Sequence, residues 1–243
     1  MRCPAQKSAG CKKSYGQPPG TAIEHHLSKG RTWSSPTERD MLTTIPHAYL
    51  IGDLETTDKD RRHGEVWAAA FTLEDDRRRP IAECDYLIEH TAKPVPWVVE
   101  RTGYTDRYQS GLTEITGREL VLWISDAIAA SAAERVFLTG MNIGFDDAFL
   151  SRLRVNMQIP DDRWYVAYAP IELKSMTAGA FGLKIPPNAR ECAELLGVRP
   201  PVSADTRLHG AAIDRDIARD VFHALEDRAQ TKRELSPSGL AFS

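Results

Sequence analysis

Ala48–Thr57 reads AYLIGDLETT, and two carboxylates, Asp53 and Glu55, close what is otherwise an apolar run. Side chains alternate faces along a strand, so Asp53 and Glu55 project to one side and Leu54 to the other. Two further acids have comparable placement. In the stretch TGMNIGFDDAFL, residues 139 to 150, helical spacing sets Asp146 on a stripe with Phe149, Leu150 and Leu153. Asp147 instead shares its face with Ser151 and Arg154. Near the C-terminus, a stripe of Ile217, Ala218, Val221, Phe222 and Leu225 is preceded one turn earlier by Asp214. Asp216 and Asp220 fall on other faces of that helix, and His209 stands five residues ahead of Asp214.

Carboxylates at the edge of a core are costly unless they are paired or coordinate metal. When they share a site they repel, and one tends to keep its proton. Mg²⁺ or Mn²⁺ removes both problems, because these ions prefer oxygen ligands. Two such ions, roughly 3.5–4 Å apart, can stabilise the attacking and leaving oxygens of a phosphoryl displacement. A histidine close by can take a proton from the attacking water. Each signal alone has an ordinary structural explanation: a strand-end Asp-x-Glu, a helix-capping Asp, a loop histidine. Their joint occurrence, in order on a strand and two helices, points to a metal centre.

The elements that must position these groups are legible along the chain. Strands are expected over Tyr49–Glu55, Glu65–Leu73 and about Ile81–Glu89, the last two joined by a solvated turn of charged residues from Glu74 to Pro80. Lys93–Trp97, KPVPW, breaks the pattern. Arg118–Ala130 reads as a helix with Leu120, Val121, Ile124, Ala127 and Ile128 on one stripe. A short buried strand, Arg135–Leu138, precedes a helix from about Phe145. Asn188 and Glu191 form a capping-box pattern for a helix ending at Gly197. The last helix starts near Ala211 and passes Leu225. A three-strand meander followed by alternating helix and strand predicts an α/β fold, a mixed sheet flanked by helices.

Composition narrows the setting. The chain has 243 residues, 42% hydrophobic and 27% charged, as in ordinary globular proteins. A formal charge of -3 argues against a broadly basic nucleic-acid coat, though not against a small site that works through metal ions. No apolar run approaches the ~20 residues of a membrane helix, so no membrane partner is expected. Cys3, Cys11, Cys84 and Cys192 suggest no disulfide framework, which favours a reducing, cytoplasmic setting. Cys3 and Cys11 with His25 and His26 fit no compact zinc spacing. Residues 1–43 read as a disordered extension, or as sequence ahead of a start at Met41. The domain is expected over residues 44–230, with a flexible tail over 231–243.

Asp53-Leu-Glu55, Asn142-Ile-Gly-Phe-Asp146 and His209-Gly-Ala-Ala-Ile-Asp214 together resemble the three exonuclease motifs of the DEDDh family, within the ribonuclease H-like superfamily. The third has the family's His-x-Ala-x-x-Asp spacing. The resemblance covers about residues 46–230. It implies a 3′–5′ exonuclease that releases nucleoside monophosphates from single-stranded DNA or RNA ends. It also implies Asp53, Glu55, Asp146 and Asp214 as ligands of two Mg²⁺ or Mn²⁺ ions and His209 as general base. Leu54, Thr56, Asn142 and Phe145 would lie against the terminal nucleotide. A homodimer or a polymerase partner is also consistent with the family. The chain departs from the pattern at Asp58, where glycine is usual, at Met141, where some members have histidine, and at Arg215, where alanine is common. Two other readings compete: a non-catalytic nucleic-acid- or polymerase-binding module on the same fold, and an acidic scaffold whose carboxylates form salt bridges.

Overall fold

The computed structural model describes residues 46–158, 166, 169–199 and 210–235. Its centre is a six-stranded sheet. In chain order the strands are β1 (His47–Thr56), β2 (Val66–Asp75), β3 (Pro80–Ile88), β4 (Glu114–Ile115), β5 (Arg135–Gly140) and β6 (Ile171–Glu172). Their spatial order is β4-β3-β2-β1-β5-β6. β1 and β2 pair antiparallel, as do β2 and β3, which gives the meander. β1–β5, β5–β6 and β3–β4 are parallel. The helices are α1 (Pro96–Arg101), α2 (Gly117–Ser131), α3 (Ile143–Asn156), α4 (Leu173–Phe181), α5 (Ala189–Leu196) and α6 (Ala211–Leu235).

Strand alternation divides β1 between two cores. Ala48, Leu50 and Leu54 join Leu120 and Ile124 of α2 and Phe149 and Leu150 of α3 in one buried cluster. Ile51, with Tyr49 packed beside it, belongs to a second cluster with Leu173 of α4, Cys192 of α5, and Ala218, Val221 and Phe222 of α6. The period of two therefore sends the even-numbered side chains to one helical layer and the odd-numbered ones to the other. Asp53 and Glu55 continue the odd series, so their side chains belong to the α6 side.

Local chemistry sets the helix ends. Thr116 caps α2 and Asn188 caps α5, each in a full capping box with the glutamate three residues on. Gly197 ends α5 in the left-handed conformation. The KPVPW break contains the start of α1, with Pro96 in its first turn, where a missing N–H costs nothing. α3 starts at Ile143, two residues earlier than the spacing of its apolar stripe suggests. Three elements carry no periodic signal: β4 and β6 are two residues each, and α4 is short. α6 continues to Leu235, past the 230 boundary expected from the sequence. Residues 1–43, read above as an extension, lie outside the described residues.

Arg215, where alanine is common in the resembling family, is 6% exposed and braces the fold. Its guanidinium donates to the Cys84 carbonyl at 3.3 Å and pairs with Glu83 at 3.2 Å and Asp216 at 2.9 Å. The substitution thus ties α6 to β3. Among the described residues, no helix is long and apolar enough to cross a membrane.

Candidate metal centre

Asp53 and Glu55 stand at the C-terminal end of β1, the central strand. Parallel pairing with β5 covers β1 only as far as Ile51. Beyond it, that edge of β1 has no sheet partner among the described residues, and a backbone donor left there must find another acceptor. The Leu54 N–H donates to Asp146 Oδ1 at 3.1 Å. β5 turns directly into α3, so the first turn of that helix delivers Asp146 to the open edge. From the other layer, the first turn of α6 delivers Asp214, where the helix dipole favours a negative charge. One carboxylate oxygen from each of Asp53, Glu55 and Asp214 lies within 4.8 Å of the others. Asp146 adjoins this group through Leu54, and its charge acts on Asp53.

The burial of these acids is unequal. Glu55 is 9% exposed and Asp146 3%, whereas Asp53 and Asp214 keep an open side. Asp147 is only partly buried, as its helical face requires. The Asp53 carboxyl is held well above the usual range, first by burial among protein atoms and then by the charges of Asp146, Asp214 and Glu55. Burial pushes the Asp146 carboxyl up to about 7, against the pull of two backbone N–H groups, while the Asp214 charge adds to the rise. Lys174 opposes both shifts. It is the second residue of α4 and half-buried. Nothing in the sequence singles it out, because its place is set by the β5–β6 pairing, which puts the start of α4 at the end of the sheet.

The fit of this donor set to an ion follows from its chemistry. All donors are hard carboxylate oxygens, converging and mutually repelling, and among the described residues Lys174 is a cation whose charge acts on both Asp53 and Asp146. That suits Mg²⁺ or Mn²⁺ and does not suit a thiophilic metal.

Close backbone packing holds the carboxylates in place. Gly52 precedes Asp53, and a Cβ there would collide with the Phe71 ring across the β1–β2 pair. A Cβ on Gly140 would lie 2.8 Å from the Gly52 carbonyl oxygen. Gly52→Ala should therefore destabilise the protein by about 1–3 kcal/mol, the usual range for overpacking. It should also displace Asp53 and weaken Mn²⁺ binding in the molecules that remain folded. Urea titration and a Mn²⁺ titration on the same sample check both effects.

The remaining sequence-derived residues are placed as follows. Leu54 puts its side chain in the core beneath α3. Thr56 is 7% exposed and donates its hydroxyl to the Asp58 carbonyl at 2.9 Å, so the Asp58 departure lies in a turn that Thr56 closes. Phe145 is half-buried, its ring centroid 4.8 Å from that of Phe149. Asn142 is exposed at the head of α3 and makes no capping bond through its side chain. His209 lies outside the described residues.

No protein-family model and no curated relative matches the sequence. Solved structures do match. Escherichia coli exonuclease I bound to a dT13 oligonucleotide aligns over 79% of this chain with a TM-score of 0.58 and 14% identity. The fold is ribonuclease H-like. Its apo form aligns over 77% with a TM-score of 0.59 and 13% identity. Cell-death related nuclease 4 (CRN-4) aligns over 75% of this chain and 64% of its own, with a TM-score of 0.52 and 14% identity. The chain spans only 43% of the length of exonuclease I. These neighbours share the ribonuclease H-like architecture, in agreement with the resemblance read from the three motifs.

Proposed function

We propose that this chain is a metal-dependent 3′–5′ exonuclease that hydrolyses single-stranded DNA or RNA ends to nucleoside monophosphates. The observation that carries this reading is the convergence of Asp53, Glu55 and Asp214 oxygens within 4.8 Å, with Asp146 beside them, on a ribonuclease H-like sheet. Structures of exonuclease I hold dT13 and dA16 oligonucleotides, which supports a single-stranded substrate here.

Asp53, Glu55, Asp146 and Asp214 would hold two Mg²⁺ or Mn²⁺ ions. Such ions neutralise charge at the scissile phosphate and make water easier to deprotonate. His209 is assigned as the base that takes the proton of the attacking water. By chain continuity it directly precedes Gly210, whose carbonyl accepts the Asp214 N–H at 3.1 Å. Asn142 offers an uncapped amide at the rim for the terminal nucleotide. Lys174, whose charge acts on Asp53 and Asp146, would offset part of the negative charge gathered there.

The test is incubation with 5′-labelled single-stranded DNA and RNA in Mg²⁺, in Mn²⁺ and in EDTA, beside a Glu55→Ala control. A metal-dependent ladder shortening from the 3′ end, absent in the control, is the expected result. Intact strands of both kinds with both metals would overturn the reading.

A further inference from the structure

Arg215 directly follows Asp214 and stands on the core stripe of α6. Ala211, Arg215, Ala218, Phe222 and Leu225 recur at helical spacing, and all are buried. A charge on such a stripe is costly unless it is partnered. The partners of Arg215 lie across the sheet: the Cys84 carbonyl and the Glu83 carboxylate of β3, with Asp216 completing the set from its own helix. Alanine is common here in the resembling family, so this brace belongs to the chain rather than to the family pattern.

The register of the sheet shows where the brace is anchored. Asp53 of β1 pairs with Ala70 of β2, and Ala70 pairs with Asp85 of β3. Directly opposed side chains share a face, so Asp53, Ala70 and Asp85 form one row on the α6 side. Cys84 adjoins that row. Burial raises the Asp85 carboxyl and the Arg215 charge opposes the rise, so the guanidinium acts on the row itself. The first turn of α6 thus meets the sheet at two places. Asp214 brings an oxygen within 4.8 Å of oxygens of Asp53 and Glu55 on β1, while Arg215 is tied to β3, two strands away. Successive helical residues are turned by about 100°, which sends the two side chains to different strands.

Packing fixes the rest of α6 more firmly than its start. Further along, Val221, Phe222 and Leu225 seat the helix in the second core. At the start, Ala211 and Ala212 meet a cluster that includes Ala68 and Ala70. Methyl groups against methyl groups define a lateral position loosely. A planar guanidinium holding several acceptors defines it closely.

We propose that Arg215 is a positioning residue, whose span from α6 to β3 fixes the first turn of α6 and so holds Asp214 in place as a metal ligand beside Asp53 and Glu55. This rests on the metal centre of the exonuclease reading and adds the group that closes that centre from the helix side. Charge alone predicts the opposite effect. A cation next to a metal ligand repels Mn²⁺, so removing it would tighten binding. The sign of the change therefore separates positioning from charge.

The test follows Mn²⁺ binding by electron paramagnetic resonance in wild type, Arg215→Met, Arg215→Lys and Arg219→Met. Melting in EDTA records the fold, and cleavage of a single-stranded oligonucleotide is measured at saturating Mn²⁺. Arg219, one turn further along α6, pairs with Glu74 and serves as the control. Arg215→Met should weaken Mn²⁺ binding about ten-fold, the scale for groups that orient metal ligands. Arg215→Lys keeps the charge but not the fork, and should lie between Arg215→Met and wild type. Arg219→Met should bind as wild type does. If Arg215→Met does not fold, Arg215→Lys decides, and wild-type affinity in it would overturn the proposal. Unchanged or tighter binding in Arg215→Met would overturn the positioning role and leave the metal centre intact. Equal weakening in Arg219→Met would reduce the effect to a general loosening of α6 and overturn it too. If wild type binds Mn²⁺, Arg215→Met binds it more weakly and no strand is cut, the exonuclease reading fails and the positioning role stands. Absence of Mn²⁺ binding by wild type would overturn both.

Discussion

Asp146→Asn should abolish cleavage, by at least roughly 10³-fold, or about 4 kcal/mol of transition-state stabilisation. The choice of asparagine matters. Asp146 Oδ1 accepts the Leu54 N–H, and a substitution without an oxygen there would orphan a buried donor on the strand that carries Asp53. Asparagine keeps an acceptor and removes only the charge. A fall in rate with unchanged far-UV dichroism would then report lost metal coordination. Asp147→Asn is the paired control. Asp147 is adjacent in sequence, only partly buried, and faces away from the site, so its variant should stay within a few-fold of wild type. Single-turnover rates of the two variants at one Mn²⁺ concentration make the comparison. If Asp147 proved essential and Asp146 dispensable, the helical-face argument would fail.

The metal-free protein should lose stability as pH rises from about 4 to about 7. A carboxyl whose folded pKa exceeds its unfolded value binds its proton more tightly in the native state. Asp146, pushed up to about 7, and Asp53, also raised, are such groups. Between the unfolded value near 4 and the folded value, the native state holds more protons, so each step up in pH favours unfolding. The effect on Tm should be several degrees. One pKa unit corresponds to about 1.4 kcal/mol, and about 1 kcal/mol moves Tm by ~2–4 °C in a domain of this size. Mn²⁺ binds the deprotonated carboxylates, so its stabilisation should be largest above pH 7 and small near pH 5. Thermal melts across pH, with and without Mn²⁺, give the result directly. In Asp146→Asn the metal-free slope should flatten and the protein should be more stable than wild type at pH 8. An unchanged slope in that variant would show that other groups control the acid limb.

Much of this arrangement was legible because strand and helix periods are local. The alternation that separates Leu54 from Asp53 and Glu55 is a property of ten consecutive residues, and so is the stripe that separates Asp146 from Asp147. The joining of the four acids was not a local fact. It depends on β5 stopping short of the end of β1, which leaves the Leu54 N–H for Asp146, and no spacing in the sequence encodes that. Lys174 escaped notice for the same reason, since a single lysine on a nine-residue helix is unremarkable until β6 places it. The proline-broken stretch Lys93–Trp97 gives no periodic signal, and its place is set by a tertiary tether, the Val95 N–H bond to the Thr57 carbonyl.

The central claim is that four carboxylates form one metal centre, and a Mn²⁺ titration followed by electron paramagnetic resonance tests it most directly. Wild type should show saturable binding that is weakened strongly in Glu55→Gln and in Asp146→Asn, and left unchanged in Asp147→Asn. Binding that is absent in wild type, or equal in all four proteins, would contradict it.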